Sequence, residues 1–313
     1  MKKKLLALAV AAALPMVSQA ATADVTIYGK LHTSIDYVDP DGDDSIYDVT
    51  SRASRLGFKG SEDLGDGLKF IWKIESQVNI ADGGTYWKGR NAYVGLAGGW
   101  GTFLYGRHDT PMKMSTGKLD IFSDEMADYN ATAGFVDIRA NDAIAYVSPN
   151  FSGLTLVGAV VPDADYDGDG DFGGAYSVAA MYSNGGLFLA AAYETLDDLL
   201  GGMDANHWRI GAGYDMGNFH IGAVYADQGD LTNTDNLTVN GSYKFGNNKL
   251  KAMWASIDPD NGSKMDAWAI GLDHNFSKRT KIYVQYADSE AGLQDTNPSG
   301  DQSGFSFGMV HKF

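Results

Sequence analysis

Two short motifs carry residue types that could do chemistry, and the first offers ligands for a metal ion. Residues 167–171 read DGDGD, which places carboxylates at alternate positions, as at the start of a calcium-binding loop. A complete loop of that kind also needs a bidentate glutamate about 12 positions from its start, and Val178 stands there. The run therefore predicts an acidic, solvated loop, with loose binding of divalent cations left open as the alternative.

The second motif, GFSFG at 304–308, satisfies the G-x-S-x-G pattern of serine hydrolases. That pattern exposes its serine on a sharp turn between a strand and a helix. Ser306 instead lies within an alternating segment, which predicts a residue in the wall of a sheet. The six histidines show no H-E-x-x-H spacing or close ligand pairing, and no glycine-rich phosphate loop occurs. The sequence thus predicts no catalytic residue, no metal site and no cofactor.

The charge balance argues against nucleic acid as a partner. The chain has 40 acidic and 24 basic residues and a formal charge of −16, and without Lys2, Lys3 and Lys4 the charge is about −19. Such a surface repels phosphate backbones. There is no cysteine, so no disulfide and no thiolate site can form. Proline is scarce at 7 residues, which suits long strand ladders because proline cannot donate a hydrogen bond to them.

The first residues predict a secretory signal peptide. Three lysines at 2–4 precede an apolar run at 5–17, and small residues with A-x-A spacing follow. The apolar run is shorter than the about 20 residues that a membrane-spanning helix needs, although a membrane anchor is the alternative reading. We therefore assign 1–23 to a signal peptide, cleaved after Ala20 or Ala23, and 24–313 to a single domain.

Apolar and polar residues alternate with a period of two from residue 24 to the end, whereas helical periodicity is rare. In 25–37 the odd positions are mostly apolar, and the last segment repeats the rule with Phe305, Phe307 and Met309. Sixteen segments follow this pattern: 24–38, 51–61, 67–79, 88–97, 101–107, 140–148, 153–161, 175–183, 186–196, 205–216, 218–228, 236–246, 249–258, 265–276, 280–289 and 303–313.

The connections between these segments are alternately short and long. Short connections lie at 98–101, 183–186, 216–218 and 246–248, and long acidic ones lie at 39–48, 162–174, 228–235 and 289–302. Membrane barrels have tight turns on one rim and longer loops on the other, and their strands are about 10 residues long. The pattern therefore predicts an all-β fold, a transmembrane antiparallel β-barrel of sixteen strands. A soluble sandwich or propeller would alternate too, but its loops would not sort by length.

Several motifs then occur in a fixed order along the chain: 25–30 (VTIYGK), 54–60 (SRLGFKG), 62–68 (EDLGDGL), 93–96 (YVGL), 101–107 (GTFLYGR), 146–153 (YVSPNFSG) and 308–313 (GMVHKF). Together they resemble the general, trimeric sixteen-stranded porins of Gram-negative bacteria over essentially the whole of 24–313. The resemblance implies a homotrimer in the outer membrane, in contact with membrane lipids and lipopolysaccharide. It also implies that the terminal Phe313 is read by the barrel-assembly machinery.

The stretch 108–137 is the longest without clear alternation, and a loop of that length usually has a function. The resemblance implies that this third loop folds into the barrel and narrows it. It further implies a basic cluster on the wall, namely Lys30, Arg55, Arg107 and Arg139. The loop offers Asp120, Asp124, Glu125 and Asp128 as the acids that face this cluster.

The alternation independently predicts that Lys30 and Arg55 face the lumen. Arg107, however, shares its parity with Phe103 and Tyr105, so its inward placement depends on the resemblance alone. For each arginine the alternative is a wall salt bridge that only satisfies a lumen carboxylate. Opposed charges across a narrow opening would orient dipolar solutes and set ion preference.

The function that follows is passive diffusion of small hydrophilic solutes and ions through a water-filled channel. A channel specific for a sugar or an anion, on the same barrel, is the alternative, and a barrel enzyme lacks a catalytic constellation. The acidic loops predict a weak preference for cations at the outer mouth, which an arginine-rich constriction can reverse.

Overall fold

The alternating segments form a ladder of antiparallel strands in the computed structural model, which describes residues 24–82, 87–162, 173–196, 205–296 and 300–313. The strands are β1 Asp24–Pro40, β2 Ile46–Ser51, β3 Arg55–Gly65, β4 Leu68–Gln77, β5 Lys88–Gly98, β6 Gly101–Asp109, β7 Arg139–Val147, β8 Leu154–Val161, β9 Ala175–Asn184, β10 Leu187–Thr195, β11 Asn206–Met216, β12 Phe219–Asp227, β13 Thr234–Phe245, β14 Asn248–Pro259, β15 Met265–Asn275, β16 Thr280–Ser289 and β17 Gln302–Lys312.

The ladder closes on itself. Apart from β2 and β3, each strand pairs with the next one along the chain, and β17 pairs with β1 from Lys30↔Lys312 to Pro40↔Gln302. Both β2 and β3 pair with β1, so these two segments are one barrel strand that is interrupted at 52–54. The predicted barrel of sixteen antiparallel strands is thereby confirmed. In the part of the chain that the structure describes, the pairing of β17 with β1 closes the sheet into a barrel, as a bilayer requires.

The second barrel strand differs most from its predicted bounds. We expected a strand at 51–61 and a loop at 39–48, but β1 continues to Pro40 and β2 begins at Ile46. The hairpin made by β1 and β2 carries Asp39 and Asp48 and therefore extends the sheet beyond the apolar band. Period-two hydrophobicity is not needed outside the bilayer, so the pattern does not mark this extension.

The outer face of the barrel is apolar and the inner face is largely polar. On β1, Val25, Ile27 and Ile35 are each more than half exposed on the outside, whereas Lys30 and Ser34 are buried on the inside. A soluble barrel would show the opposite arrangement. The exposed apolar face is the surface that lipid covers in a membrane barrel.

The connections have the two expected lengths. Tight turns such as 185–186, 217–218 and 246–247 lie on one rim, and the connection at 110–138 is among the long ones on the other rim. Three short helices occur in the loops that the structure describes: α1 Pro111–Thr116, α2 Tyr129–Thr132 and α3 Gly229–Thr232. Within the described ranges, no helix has the length and apolar character to span a bilayer.

Two sequence features fall outside the described residues. These are the signal peptide at 1–23 and the DGDGD run at 167–171. Ser306 is buried in the middle of β17, without the strand-turn-helix that a hydrolase serine needs. In the ranges that the structure covers, no group of three or more His, Asp or Glu side chains converges as a metal site.

Candidate constriction site

The connection at 110–138, called loop 3 below, packs inside the barrel. Thr110 caps α1 by accepting a hydrogen bond from the Lys113 amide, and Pro111 opens the helix, where its missing N–H costs nothing. Asp128 caps α2 in the same way through the Asn130 amide. Two capped turns therefore give a long loop a defined path across the lumen.

Loop 3 is held by an apolar contact with one side of the inner wall. Inward side chains on β12, β14, β15 and β16 are mostly small, and we call this surface the loop-bearing wall. Loop 3 presents large apolar groups to it, among them Phe122 and Met126, which are fully buried. The residues of these four strands in the cluster are Val224, Ala226, Met253, Ala255, Ala267, Ala269 and Ala287, and Val38 of β1 joins them.

Ion pairs strengthen the same contact. Lys251 is completely buried and lies 2.6 Å from Glu125 Oε2 and 3.1 Å from Asp273. Lys281 bridges the same two carboxylates at 2.8 and 3.0 Å. Burial alone would raise the pKa of Glu125, but the two lysines reverse that effect and lower it. Glu125 is therefore an anchor of loop 3 and not a free acid at the opening.

Arg209 on β11 anchors the other end of the loop. Its Nη1 lies 2.8 Å from Asp137 Oδ1, and its Nη2 donates to the Val136 carbonyl at 3.0 Å. The guanidinium is fully buried, and it also lies over the Phe135 ring at 4.9 Å. A charge at this depth persists only when its donors are satisfied, as several of them are here.

Asp124 is the loop acid that reaches across the lumen. It forms an ion pair with Lys30 on β1, and its Oδ2 lies 3.8 Å from Arg55 Nη2 on β3. Burial opposes ionisation, yet the charges of Lys30 and Arg55 hold the pKa of Asp124 below its usual range. The structure thus brings together three of the eight predicted site residues.

Asp120 and Asp128 bind the backbone of loop 3 itself. Asp120 accepts from the Phe122 amide at 2.9 Å, and Asp128 accepts from the Asp124 and Asn130 amides at 2.7 and 2.9 Å. Burial raises the pKa of Asp128 to about 7, and burial followed by the Asp128 charge raises that of Asp120. Both acids shape the turn that presents Asp124.

The wall opposite the loop-bearing wall carries a second set of charges. We define this open wall by Lys30, Arg55, Lys73, Glu75, Arg90, Asp109 and Arg139. Glu75 lies 3.3 Å from Lys73 and 2.7 Å from Arg90, and it accepts the Tyr28 hydroxyl at 2.8 Å. The sequence reasoning missed Arg90 and Glu75 as site residues, although Glu75 belongs to the polar set of an alternating strand.

Arg139 and Arg107 occupy different surroundings. Arg139 lies 2.8 Å from Asp109 and donates to the Asn91 side chain at 2.7 Å, so it belongs to the open wall. Arg107 donates to the Asn141 side chain, is half-buried, and lies close enough for its charge to act on Arg139. Among the described residues no ion pair joins Arg107 to loop 3. The ladder is irregular between Gly106 and His108, so the alternation up to Tyr105 does not by itself give the direction of the Arg107 side chain.

A family model described as Gram-negative porin matches residues 7–292. The chain belongs to the Gram-negative porin family. Among its relatives, the major outer membrane proteins P.IB and P.IA of Neisseria meningitidis are 30% and 31% identical, each over the whole of both chains. An anion-selective porin from Comamonas acidovorans is 27% identical and matches with a TM-score of 0.81, over 93% of this chain and 100% of that one.

A porin from Rhodopseudomonas blastica, as a triple mutant, shares the fold with a TM-score of 0.73 at 22% identity, over 93% of this chain and 100% of that chain. Family, barrel and relatives agree on the predicted function and location. This porin is a diffusion channel of the outer membrane. The family and the names of the relatives indicate a channel rather than an enzyme.

Proposed function

We propose that solutes pass along the open wall beside the contact between Asp124 of loop 3 and Lys30, and that this constriction gives the porin a weak preference for anions. The paired charges there comprise five cations, on Lys30, Arg55, Lys73, Arg90 and Arg139. They face three carboxylates, on Glu75, Asp109 and Asp124. This excess of positive charge at a partly exposed surface is the observation that supports the proposal.

The acidic outer loops act in the opposite sense, but more weakly. Exposed acids such as Asp43, Asp44 and Asp260 border the mouth, where water screens them within about 8 Å at physiological salt. A charge in a narrow opening is screened less, because low-dielectric walls focus its field. We therefore expect the constriction to outweigh the mouth and to reverse the weak cation preference that the loops alone would give.

The Comamonas relative supports this choice, since it is described as anion-selective and aligns over the full length of its chain. Because both chains have the same fold, a preference for anions in this porin needs only a different strength of selectivity and no different architecture. A sugar-specific channel would need aromatic rings along the open wall. Tyr28 supplies one, but its hydroxyl is committed to Glu75.

The reversal potential of the purified porin in a KCl gradient tests the proposal. Arg55→Gln removes a wall charge while Lys30 still pairs with Asp124. A single charge acts on an ion at 4 Å with about 1 kcal/mol in water, so the anion-to-cation permeability ratio should fall by about two- to five-fold. Arg279→Gln, in the exposed turn between β15 and β16, is the matched control and should leave the ratio unchanged. Cation preference in the parent protein, or equal shifts in both variants, would reject the assignment.

We further propose that the porin is a homotrimer that contacts outer-membrane lipids and lipopolysaccharide. The barrel-assembly machinery recognises it through its C-terminal strand. Phe313 supports the last point, because its backbone exchanges hydrogen bonds of 3.0 and 3.1 Å with Gly29 and completes the seam of the barrel. Deletion of Phe313 should reduce the amount of folded, heat-modifiable trimer in the outer membrane. An unchanged amount of folded trimer after this deletion would show that Phe313 is not needed for assembly.

A further inference from the structure

Loop 8, the last outer connection of the barrel, is described at 290–296 and 300–301, and its residues 293 and 294 touch the tip of loop 3. The Gln294 amide donates to the Met126 carbonyl at 2.8 Å. Leu293 is buried in the same apolar cluster as Met126. Met126 is only two residues from Asp124, the acid that faces Lys30 and Arg55. An outer loop is therefore in direct contact with the segment that narrows the pore.

Arg52 fastens this contact to the barrel wall. It stands at the interruption between β2 and β3, and its side chain is completely buried. Its Nε donates to Ser34 Oγ at 3.0 Å and its Nη2 to Asp36 Oδ2 at 2.6 Å, both on β1. Its Nη1 donates to the Gln294 carbonyl of loop 8. One guanidinium thus joins the wall to loop 8.

The interruption of the second barrel strand makes this arrangement possible. The Arg52 amide bonds to the His32 carbonyl at 3.0 Å, and the Ser54 side chain exchanges hydrogen bonds with the His32 backbone at 2.8 and 2.9 Å. Residues 52–54 therefore stay hydrogen-bonded to β1, although the regular alternation of side chains is broken there. The guanidinium of Arg52 points inward and donates from three nitrogen atoms in three directions. A lysine has one nitrogen atom and could not reach the same three acceptors.

We propose that Arg52 is a positioning residue of the constriction, which holds loop 8 against loop 3 and so keeps Asp124 opposite the open wall. The inference rests on the proposed function, because it takes Asp124 as part of the constriction. Removal of the guanidinium leaves Asp36 buried without its ion-pair partner and frees the Gln294 carbonyl. Loop 8 then loses its attachment to the barrel wall, and the loop 3 tip gains room to move.

Single-channel recording of Arg52→Met tests the proposal. We expect closures and sub-conductance steps to become at least about five-fold more frequent, which is the lower end of usual coupling between sites. Arg52→Lys keeps the charge without the fork and should give an intermediate frequency. Heat-modifiable migration on a gel shows whether each variant folds. Folded Arg52→Met channels as quiet as the parent would overturn the proposal.

A reversible tether separates positioning from general loss of stability. The chain has no cysteine, so Met126→Cys with Gln294→Cys introduces a unique pair at the hydrogen-bonded contact between the two loops. In the Arg52→Met background, oxidation should restore quiet channels and reduction should bring the closures back. Closures that persist in the oxidised, cross-linked protein would mean that Arg52 acts elsewhere than through loop 8.

A variant in the outer loop covers the case in which Arg52→Met does not fold. Leu293→Ser leaves the wall intact and removes only the apolar hold of loop 8 on the cluster. It should also raise the frequency of closures, and unchanged gating would count against the proposal. The result is independent of ion preference: a failed reversal-potential test with Arg55→Gln refutes the proposed selectivity, whereas quiet Leu293→Ser channels refute the role of loop 8.

Discussion

The two sides of the inner wall obey the same alternation but hold different groups. The loop-bearing wall presents alanines, Val224 and Met253 to loop 3, and of its two lysines that bind Glu125, Lys251 is 0% and Lys281 26% exposed. The open wall presents long charged side chains that keep contact with the lumen, and Arg55 is 25% exposed. Small inward residues make room for loop 3 to pack against the wall. Large charged residues keep the loop away from the wall and line the opening of the channel. Side-chain size thus distinguishes an anchoring surface from a conducting one.

The difference also separates two uses of charge. Lys251 and Lys281 share Glu125 and Asp273 in a set of four groups whose charges cancel, so the set adds no net charge to the lumen. On the open wall the cations outnumber the carboxylates with which they pair. Buried pairs specify where loop 3 lies, and partly exposed pairs act on what passes. The following changes test this division, beginning with the largest effect.

Lys251→Met should release loop 3 from the loop-bearing wall. Removal of one partner of a buried ion pair costs about 3–5 kcal/mol, because a charge is left uncompensated. Hydrogen exchange in 110–138 should therefore become at least about 100-fold faster, while the barrel strands stay protected. Lys73→Met is the matched control on the open wall, where its ion pair is partly exposed and worth at most about 1 kcal/mol. Equal effects of the two variants would abolish the distinction between the walls.

Gly213→Val tests whether small inward residues are needed to seat the loop. A Cβ at Gly213 would lie 2.6 Å from Leu119 Cδ2 of loop 3. Overpacking of this kind costs about 1–3 kcal/mol, so exchange in 110–138 should rise less than with Lys251→Met. Gly158→Val is the control, because a Cβ there has no neighbour within 4 Å. If Gly213→Val left the protection of loop 3 unchanged, steric fit would not position it.

The sequence was sufficient for the barrel because a bilayer imposes one rule on every strand. The sixteen predicted strands agree with the structure to within a few residues, apart from the extension at 46–51. That extension lies in acidic, solvated sequence, where no rule of alternation applies. Short connections were recognisable by their glycines and asparagines, and Gly217 and Gly246 adopt the positive φ that tight turns require.

The candidate site was predictable only in part. The odd or even position of a residue in the alternating pattern predicts that the side chains of Lys30 and Arg55 point into the lumen and that the side chain of Arg107 points outward. It says nothing about loop 3, whose acids look equivalent in sequence. Glu125 and Asp124 are adjacent, yet one binds the loop-bearing wall and the other the open wall. Tertiary packing decides between them, and neither composition nor spacing carries that information.

The smallest expected effect is a dependence of loop 3 on pH. Burial raises the pKa of Asp128 to about 7 from an ordinary value near 4, so the folded loop holds a proton that the unfolded loop has lost. A raised pKa of an acid favours the folded loop at lower pH, and this stability is lost as pH rises through 7. From pH 6 to pH 8 the change is about 1 kcal/mol.

Hydrogen exchange in 110–138, corrected for the intrinsic rate, should therefore accelerate by roughly five- to ten-fold over this interval. Asp128→Asn keeps the cap on α2 without an ionisable group, since asparagine caps helices as well as aspartate does. The variant should lose most of the pH dependence, and the remainder belongs to Asp120, whose pKa is also raised. An unaltered pH profile in Asp128→Asn would show that the buried caps of loop 3 stay ionised, and the turn that presents Asp124 would then be insensitive to pH.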